Sequence, residues 1–323
     1  MTPKDIFAGP IIRRAEQGRI AIWLATRKWF DMKVAVRPIG NDEWTGHSTE
    51  VYSIRVFPTL YVFLAIVTPK EGQGLFPTGR LLEYSIAVPD PYGDDDRSLF
   101  DQIVQDDGLA YPGFARPAFY LQEPGQKLCA LYASCRKIHG HQGGRHDALT
   151  LGDDLIVKNT RTLSARPAIL CLTGDQIYAD DVHDSAFDEV IRLARELTGG
   201  QEERLPKGRE LPGKRHRADF VTTHASFTSG AADNHLVTLA EYVAMYGLAW
   251  SRHNWSGSSY PPEVQGYLDG LPKVRRMMAN TPTYMIFDDH DVTDDWNLSL
   301  QWKDDVWAHL VGRRIVANAL YGY

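Results

Sequence analysis

Apolar and polar positions over the first 120 residues alternate in short runs rather than at helical spacing. Arg19–Thr26 (RIAIWLAT), Lys33–Arg37, Glu50–Phe57, Thr59–Val67 and Leu81–Val88 are rich in β-branched and aromatic residues. Clusters of Gly, Pro, Asn and Asp separate them, a pattern that predicts an all-β sandwich. Ala110–Pro124, with prolines at 112, 117 and 124, reads as a linker or as a loop within one domain. From Cys129 the period changes. Short apolar runs at Leu128–Tyr132, Ala168–Thr173 and Thr283–Phe287 predict strands, the first of them buried. Between them, Phe187–Thr198 and Leu236–Trp250 repeat apolar residues at about 3.6 positions. The second helix is expected to turn one stripe inward: Leu239, Tyr242, Val243, Met245 and Tyr246. Strands alternating with helices point to an α/β sheet with its site at the strand C-termini. The expected division is therefore a sandwich over 1–120 and an α/β domain over 121–323.

Composition narrows the function classes. The chain has 323 residues, 43% of them hydrophobic, enough for a substantial core and two domains. With 35 basic against 41 acidic residues the net charge is −6. No overall basic field recruits nucleic acid or an anionic membrane. Three cysteines, Cys129, Cys135 and Cys171, form no disulfide framework. The N-terminus lacks the apolar core of a signal peptide, since Ala15-Glu16-Gln17-Gly18 follows Arg13-Arg14. The longest apolar run, Leu60 to Val67, falls short of the ~20 residues a membrane span needs. A cytoplasmic protein is expected. One segment, 199–217, is polar and carries six Lys or Arg against three Glu. It reads as a mobile solvated insertion or as a basic lid over a phosphorylated substrate.

Three clusters follow the three predicted strands: Ala133-Ser134-Cys135-Arg136-Lys137, Gly174-Asp175-Gln176-Ile177-Tyr178 and Asp288-Asp289-His290-Asp291. Singly each has an ordinary explanation. Gly-Asp is common in turns, a Cys after a strand is usually a small hydrophobe, and Asp-Asp-His can cap a helix. Together they supply what a two-metal hydrolase needs: a bridging carboxylate, for which Asp175 is suited, and terminal ligands. Cys135 and Tyr178 are anionic when bound, and such donors favour a ferric-type ion over magnesium. Arg136 can grip a phosphate oxygen through two guanidinium donors or form a buried ion pair. His139, His141 and His146 lie in a Gly-rich loop, as metal ligands or surface histidines. Asp153-Asp154 is read as a helix cap.

SCRKIHG, LTGDQIYADD and FDDHDVTDDWN resemble the motifs of PhoD-type alkaline phosphatases, among the calcineurin-like metallophosphoesterases. GPIIRRAEQGRIAIWLAT resembles the β-sandwich preceding the catalytic domain in that family. The resemblance implies a four-layer α/β/β/α catalytic domain acting on a small phosphate ester, with iron plus calcium as metals. It implies Cys135 and Tyr178 as ligands of the first metal, with Asp175 bridging. Asp289 then lies in the second-metal region and takes part in catalysis, and His290 stands beside the scissile phosphate. Asp294 occupies a place where family members carry Asn; it is expected to ligate a hard cation or, with Asp295, to cap a helix near Trp296. In the implied reaction a hydroxide made by the metals attacks phosphorus in line, and His290 orients the ester or protonates the leaving oxygen.

The chain departs from that family at its end. The resemblance implies further histidine ligands from a late Gly-x-x-His or Gly-His-x-His element, and the chain ends at Tyr323 without one. A single last helix is expected to expose Trp307, Leu310, Val311 and Ile315, a face that needs a covering layer. The expectation is an incomplete catalytic domain, either a fragment or a short protein that forms a homo-oligomer through this face. The competing function is a catalytically impaired fragment, or a metal-poor binding or scaffold protein. A serine hydrolase has less support, because no Gly-x-Ser-x-Gly elbow follows a strand.

Overall fold

The computed structural model describes residues 2–87, 99–137, 139 and 146–323. His141 and the end of the strand expected at Val88 lie outside these. The fold is mixed α/β, with one large antiparallel sheet and one small parallel sheet.

Strands β1 (Ile6–Glu16), β2 (Arg19–Thr26), β3 (Lys33–Pro38), β4 (Gly46–Phe57), β5 (Leu60–Pro69), β6 (Leu81–Ala87) and β7 (Ala118–Tyr120) form a seven-stranded sheet ordered β1-β2-β5-β4-β3-β6-β7. Residues 1–120 are not purely β: helix α1 (Leu99–Asp106) interrupts them. The Pro-rich segment 110–124 carries β7, which pairs with β6 through Leu81–Tyr120, Leu82–Phe119 and Glu83–Ala118. Alternation in β2, β3 and β5 turns Ile20, Ile22, Val34, Val36, Phe63 and Ala65 into one apolar core with Tyr84, Ile86 and Phe119.

Strands β8 (Ala130–Ala133), β9 (Ile169–Thr173) and β10 (Thr283–Ile286) make the small sheet, ordered β10-β9-β8. The expected burial of the first is wrong: β8 alternates exposed and half-exposed residues, and Tyr132 is 71% exposed. Apolar composition marked the strand but could not show that the described residues leave it open.

The helices are α2 (Thr150–Lys158), α3 (Asp184–Thr198), α4 (Ala218–Ala225), α5 (Leu239–Trp250), α6 (Pro262–Asn280), α7 (Leu300–Ala308) and α8 (Leu310–Gly322). Asp153 lies inside α2 rather than capping it, fully buried, accepting from Tyr111 Oη at 2.8 Å and from Arg276 Nε at 3.0 Å. Helix α5 is buried all round instead of along one stripe, from Ala240 to Trp250. A helix that is apolar on every side is an internal helix. The single last helix is two helices, α7 and α8, meeting at His309. Trp307 and Leu310 are exposed, but Val311 and Ile315 are buried.

Contacts divide the chain into two compact units. The first comprises Met1–Tyr132, Ala148–Cys171 and Gly270–Tyr284; the second comprises Ala133–Asp147, Leu172–Asp269 and Met285–Tyr323. All three strand-end clusters belong to the second.

Candidate functional site

Each cluster sits where its strand stops. After β9, Gly174 adopts φ +124° and Asp175 φ +51°, so the chain turns sharply as it leaves the sheet. A Cβ at Gly174 would lie 2.4 Å from the Asp288 Cβ, which only glycine permits. Cys135 shares the left-handed conformation, φ +51°, and its N–H donates to the Gly174 carbonyl at 3.2 Å. The next amide, Arg136 N–H, donates to the Asp175 carbonyl at 2.8 Å. Backbone bonds thus join the first two clusters. Left-handed backbone at two non-glycine residues is a strain that the surrounding bonds must hold, and such strain gathers at functional sites.

The third cluster is tied to the second by Asp291. Its Oδ1 accepts from the N–H groups of Gln176 and Ile177 at 2.9 and 3.0 Å and from Tyr246 Oη at 2.9 Å. Its Oδ2 accepts from Asp288 N–H at 3.1 Å, closing a capping box over the short helical turn Asp289–Asp291. Burial raises the Asp291 carboxyl to about 6 despite these donors. Helix α5 supplies a second anchor, since Tyr242 Oη donates to the Val292 carbonyl at 2.8 Å.

Within this frame Asp175, Asp289 and His290 each offer a ligand atom, all within 4.8 Å of one another. Asp175 is buried, and its Oδ1 has no hydrogen-bond partner among the described residues. Burial is the main reason its carboxyl is raised; the His290 charge and the Cys135 thiol oppose that, and Asp289 and Asp288 reinforce it. Cys135 adjoins this trio through its interactions with Asp175 and with Tyr178. Burial also raises the Tyr178 phenol, helped by Asp175 and Cys135, so a phenolate here needs a cation beside it. The Tyr178 ring stacks on His290 with centroids 4.2 Å apart. Asp294 Oδ1 lies 3.9 Å from His290 Nε2. No helix starts at Trp296; α7 begins at Leu300, capped by Ser299, so Asp294 and Asp295 cap nothing there.

Other residues fall elsewhere. Arg136 occupies the buried ion pair of its two readings: Nε and Nη2 donate to Asp147 Oδ2 at 2.9 and 2.7 Å, and Nη1 donates to the Ala249 carbonyl at 3.0 Å. Its plane rests against Trp250 and Tyr267. His139 is buried, its Nδ1 accepting from His183 N–H at 3.3 Å. The basic segment is pinned: Lys214 pairs with Asp188 at 2.7 Å, Arg215 with Asp184, and Arg217 with Glu241 at 2.7 Å.

Sequence reasoning missed Asp180. Its Oδ1 bonds His290 Nδ1 at 2.9 Å, and its Oδ2 accepts from Ser229 Oγ at 2.8 Å. Burial would raise this carboxyl, but the His290 and Ser229 hydrogen bonds and the nearby imidazoles win and lower it. Burial likewise pulls His290 down, yet the Asp180 bond and the charges of Asp180, Asp175 and Asp289 outweigh it and push the imidazole up to about 9. Nδ1 is committed to Asp180, so Nε2 is the nitrogen left for a proton or a ligand. The tandem Asp180-Asp181 in LTGDQIYADD was the available signal, but nothing in it says which carboxylate meets a histidine 110 residues away.

No family model matches the chain, and no curated protein matches it. A solved structure titled "Structure of PhoD" is similar over 99% of this chain at 12% identity, with a TM-score of 0.43. An overlap of that quality establishes neither fold nor activity. This chain spans 45% of that chain's length.

Proposed function

We propose that the chain is a metal-dependent phosphoric ester hydrolase, a PhoD-like phosphatase or phosphodiesterase acting on small phosphate esters. One observation carries the reading. Asp175, with a buried oxygen that lacks a hydrogen-bond partner among the described residues, stands within 4.8 Å of donor atoms of Asp289 and His290. An orphaned buried carboxylate oxygen costs free energy unless a cation or proton takes it. The donor set fits metal: Asp175, Asp289 and Asp294 offer hard oxygens suited to calcium, and Cys135 and Tyr178 suit iron. Cations held there would generate hydroxide near neutral pH and neutralise charge on a phosphate.

The chain's own groups divide the remaining work. Asp175 holds negative charge at the centre of the cluster. Asp180, braced by Ser229, fixes the ring of His290 and its tautomer. His290, with Nδ1 held by Asp180, presents Nε2 to the ester and delivers a proton from it to the leaving oxygen. The stacked Tyr178 ring screens one face of the imidazole from water. The order of the three strand-end motifs supports a four-layer metallophosphoesterase domain, and the proposal extends to a cytoplasmic setting. Among the described residues no helix is long and apolar enough to cross a membrane.

The test is metal content together with hydrolysis of p-nitrophenyl phosphate and its bis-ester. Wild-type chain is expected to bind iron or calcium near stoichiometry and to hydrolyse at least one ester. Asp175→Asn is expected to lose metal and activity together. His290→Ala should keep most metal while turnover falls about 10²–10⁴-fold. A wild-type chain that binds no metal, or binds it and hydrolyses neither ester, would refute the reading and favour a binding or scaffold role.

A further inference from the structure

Strand β4 is long, but its two sides are used unequally. On one side it pairs with β5 along its length, from Gly46–Pro69 to Phe57–Leu60. On the other it meets β3 only through Gly46–Val36 and His47–Ala35. Among the described residues, 49–57 therefore form a free edge, with alternate N–H and C=O groups turned outward. Such an edge is a template for another strand unless something blunts it. Here the usual blunting is thin, since β4 contains neither Pro nor Lys. Irregularities fall between Ser48 and Glu50 and between Arg55 and Phe57, leaving Glu50–Arg55 regular between them. That stretch is open and carries three exposed hydrophobic side chains: Tyr52 is 57% exposed, Ile54 63% and Val51 38%.

We infer that this edge pairs antiparallel with the same edge of a second copy, about a twofold axis at Ser53. The strand's own order of residues selects the occupant and the register. A twofold axis perpendicular to the sheet places each residue opposite one of the same face, so the axis must pass through a residue position. Centring on Glu50 or Arg55 would set like charges face to face, which is destabilising. Centring on Tyr52 would set the Glu50 carboxylate opposite Ile54, and centring on Val51 or Ile54 would run the ladder into the irregularity at Ser48–Glu50 or at Arg55–Phe57. Centring on Ser53 places Tyr52 opposite Ile54 twice on one face, an aromatic–β-branched pair of the kind that stabilises ladders. On the other face Val51 lies against the stem of Arg55 twice, and a small Ser53 sits on the axis. Tyr52 and Ile54 also pair across to Leu64 and Val62 of β5 in their own sheet. The joined edges then bury one continuous apolar row. This association is independent of the metal-site reading.

Sedimentation equilibrium of the full chain over a wide concentration range, with chelator present, tests it. Wild type is expected to be a monomer–dimer system. Ile54→Lys, at an exposed position, should weaken dimerisation about 10–100-fold, with a thermal transition equal to wild type at dilutions where both are monomeric. The register has its own readout. Residues opposite each other in an antiparallel pair have Cα atoms about 4.5–5.5 Å apart, within disulfide range. Ser53→Cys should therefore give an intermolecular disulfide under mild oxidation, beyond any wild-type background from Cys135. Val51→Cys, opposite Arg55, should not. A wild type that stays monomeric throughout, a dimer indifferent to Ile54→Lys, or equal crosslinking of both cysteine variants would overturn the proposal.

Discussion

Gly174 shows how one missing side chain shapes the site. Its φ of +124° is hard for any L-residue, and the place of its absent Cβ is taken by the Cβ of Asp288. Gly200 also has positive φ, +80°, but nothing lies within 4 Å of its imagined Cβ. The two positions separate backbone strain from crowding. Gly200→Ala is expected to cost about 1 kcal/mol, the strain alone. Gly174→Ala should cost about 2–4 kcal/mol and abolish metal binding, because Asp288 must move and it heads the turn bearing Asp289 and His290. Urea unfolding and metal titration of both variants check this; similar losses in both would remove crowding from the explanation. Residue types at the three strand ends were legible in the sequence, including the trio Asp175, Asp289 and His290. What could not be read was pairing at long range. Arg136 can face a phosphate or a carboxylate on residue type alone, and only the packing of Trp250 and Tyr267 against its guanidinium, with Asp147 in reach, decides.

At the scale of elements, α5 links the packing to the site. Its first turn is held by a capping box, Thr238 Oγ1 accepting from Glu241 N–H at 3.2 Å and Glu241 Oε2 accepting from Thr238 N–H at 3.1 Å. The same carboxylate takes Arg217 in two parallel bonds of 2.7 and 2.8 Å, both side chains buried. Burial would raise Glu241, but the guanidinium and the backbone donors outweigh it and hold the carboxyl below its ordinary 4.5. A lowered carboxyl contributes stability that is complete above about 4.5 and is lost as pH falls through the folded value. The Glu241 contribution to unfolding free energy, read as the difference from Glu241→Gln, is thus expected to be constant from neutrality down to that point and then to fall. Glu241→Gln leaves Arg217 buried without its counter-charge, so its neutral-pH stability should drop by about 3–5 kcal/mol and its acid limb should be shallower. Denaturant titrations stepped through pH provide the measurement, and an unchanged acid limb would show that the pair contributes little. The helix itself was legible from its apolar content. Its burial on all sides was not, because a stripe and a fully apolar helix differ only in what later packs against them.

The whole molecule is organised less simply than a sandwich followed by a second domain. Five strands of the large sheet match their sequence ranges within a few residues, because alternation and turn residues are local signals. By contrast β7 exists only through its pairing with β6, and the contacts that enclose this sheet come from far along the chain. Asn280 accepts from the Ala118 N–H at 2.6 Å and donates to the Leu109 carbonyl at 2.7 Å. Arg275 donates to the Gly9 carbonyl at 2.8 Å and pairs with Asp107 at 2.6 Å. The buried Tyr84 hydroxyl donates to the Ala279 carbonyl at 2.9 Å. Arg166 donates to the Ala118 carbonyl as well. A fragment of residues 1–120 loses every one of these partners. Each bond is worth only about 0.5–1.5 kcal/mol net, but together they rival the whole stability of a small domain. Residues 1–120 alone are therefore expected to unfold without a cooperative transition. Residues 1–171 joined to 270–284 by a flexible linker should regain one, because that chain contains the first contact unit entire. Guanidinium unfolding followed by tryptophan fluorescence compares the two; a sharp transition in the shorter fragment would mean that the sheet carries its own stability and that the distant segments only decorate it.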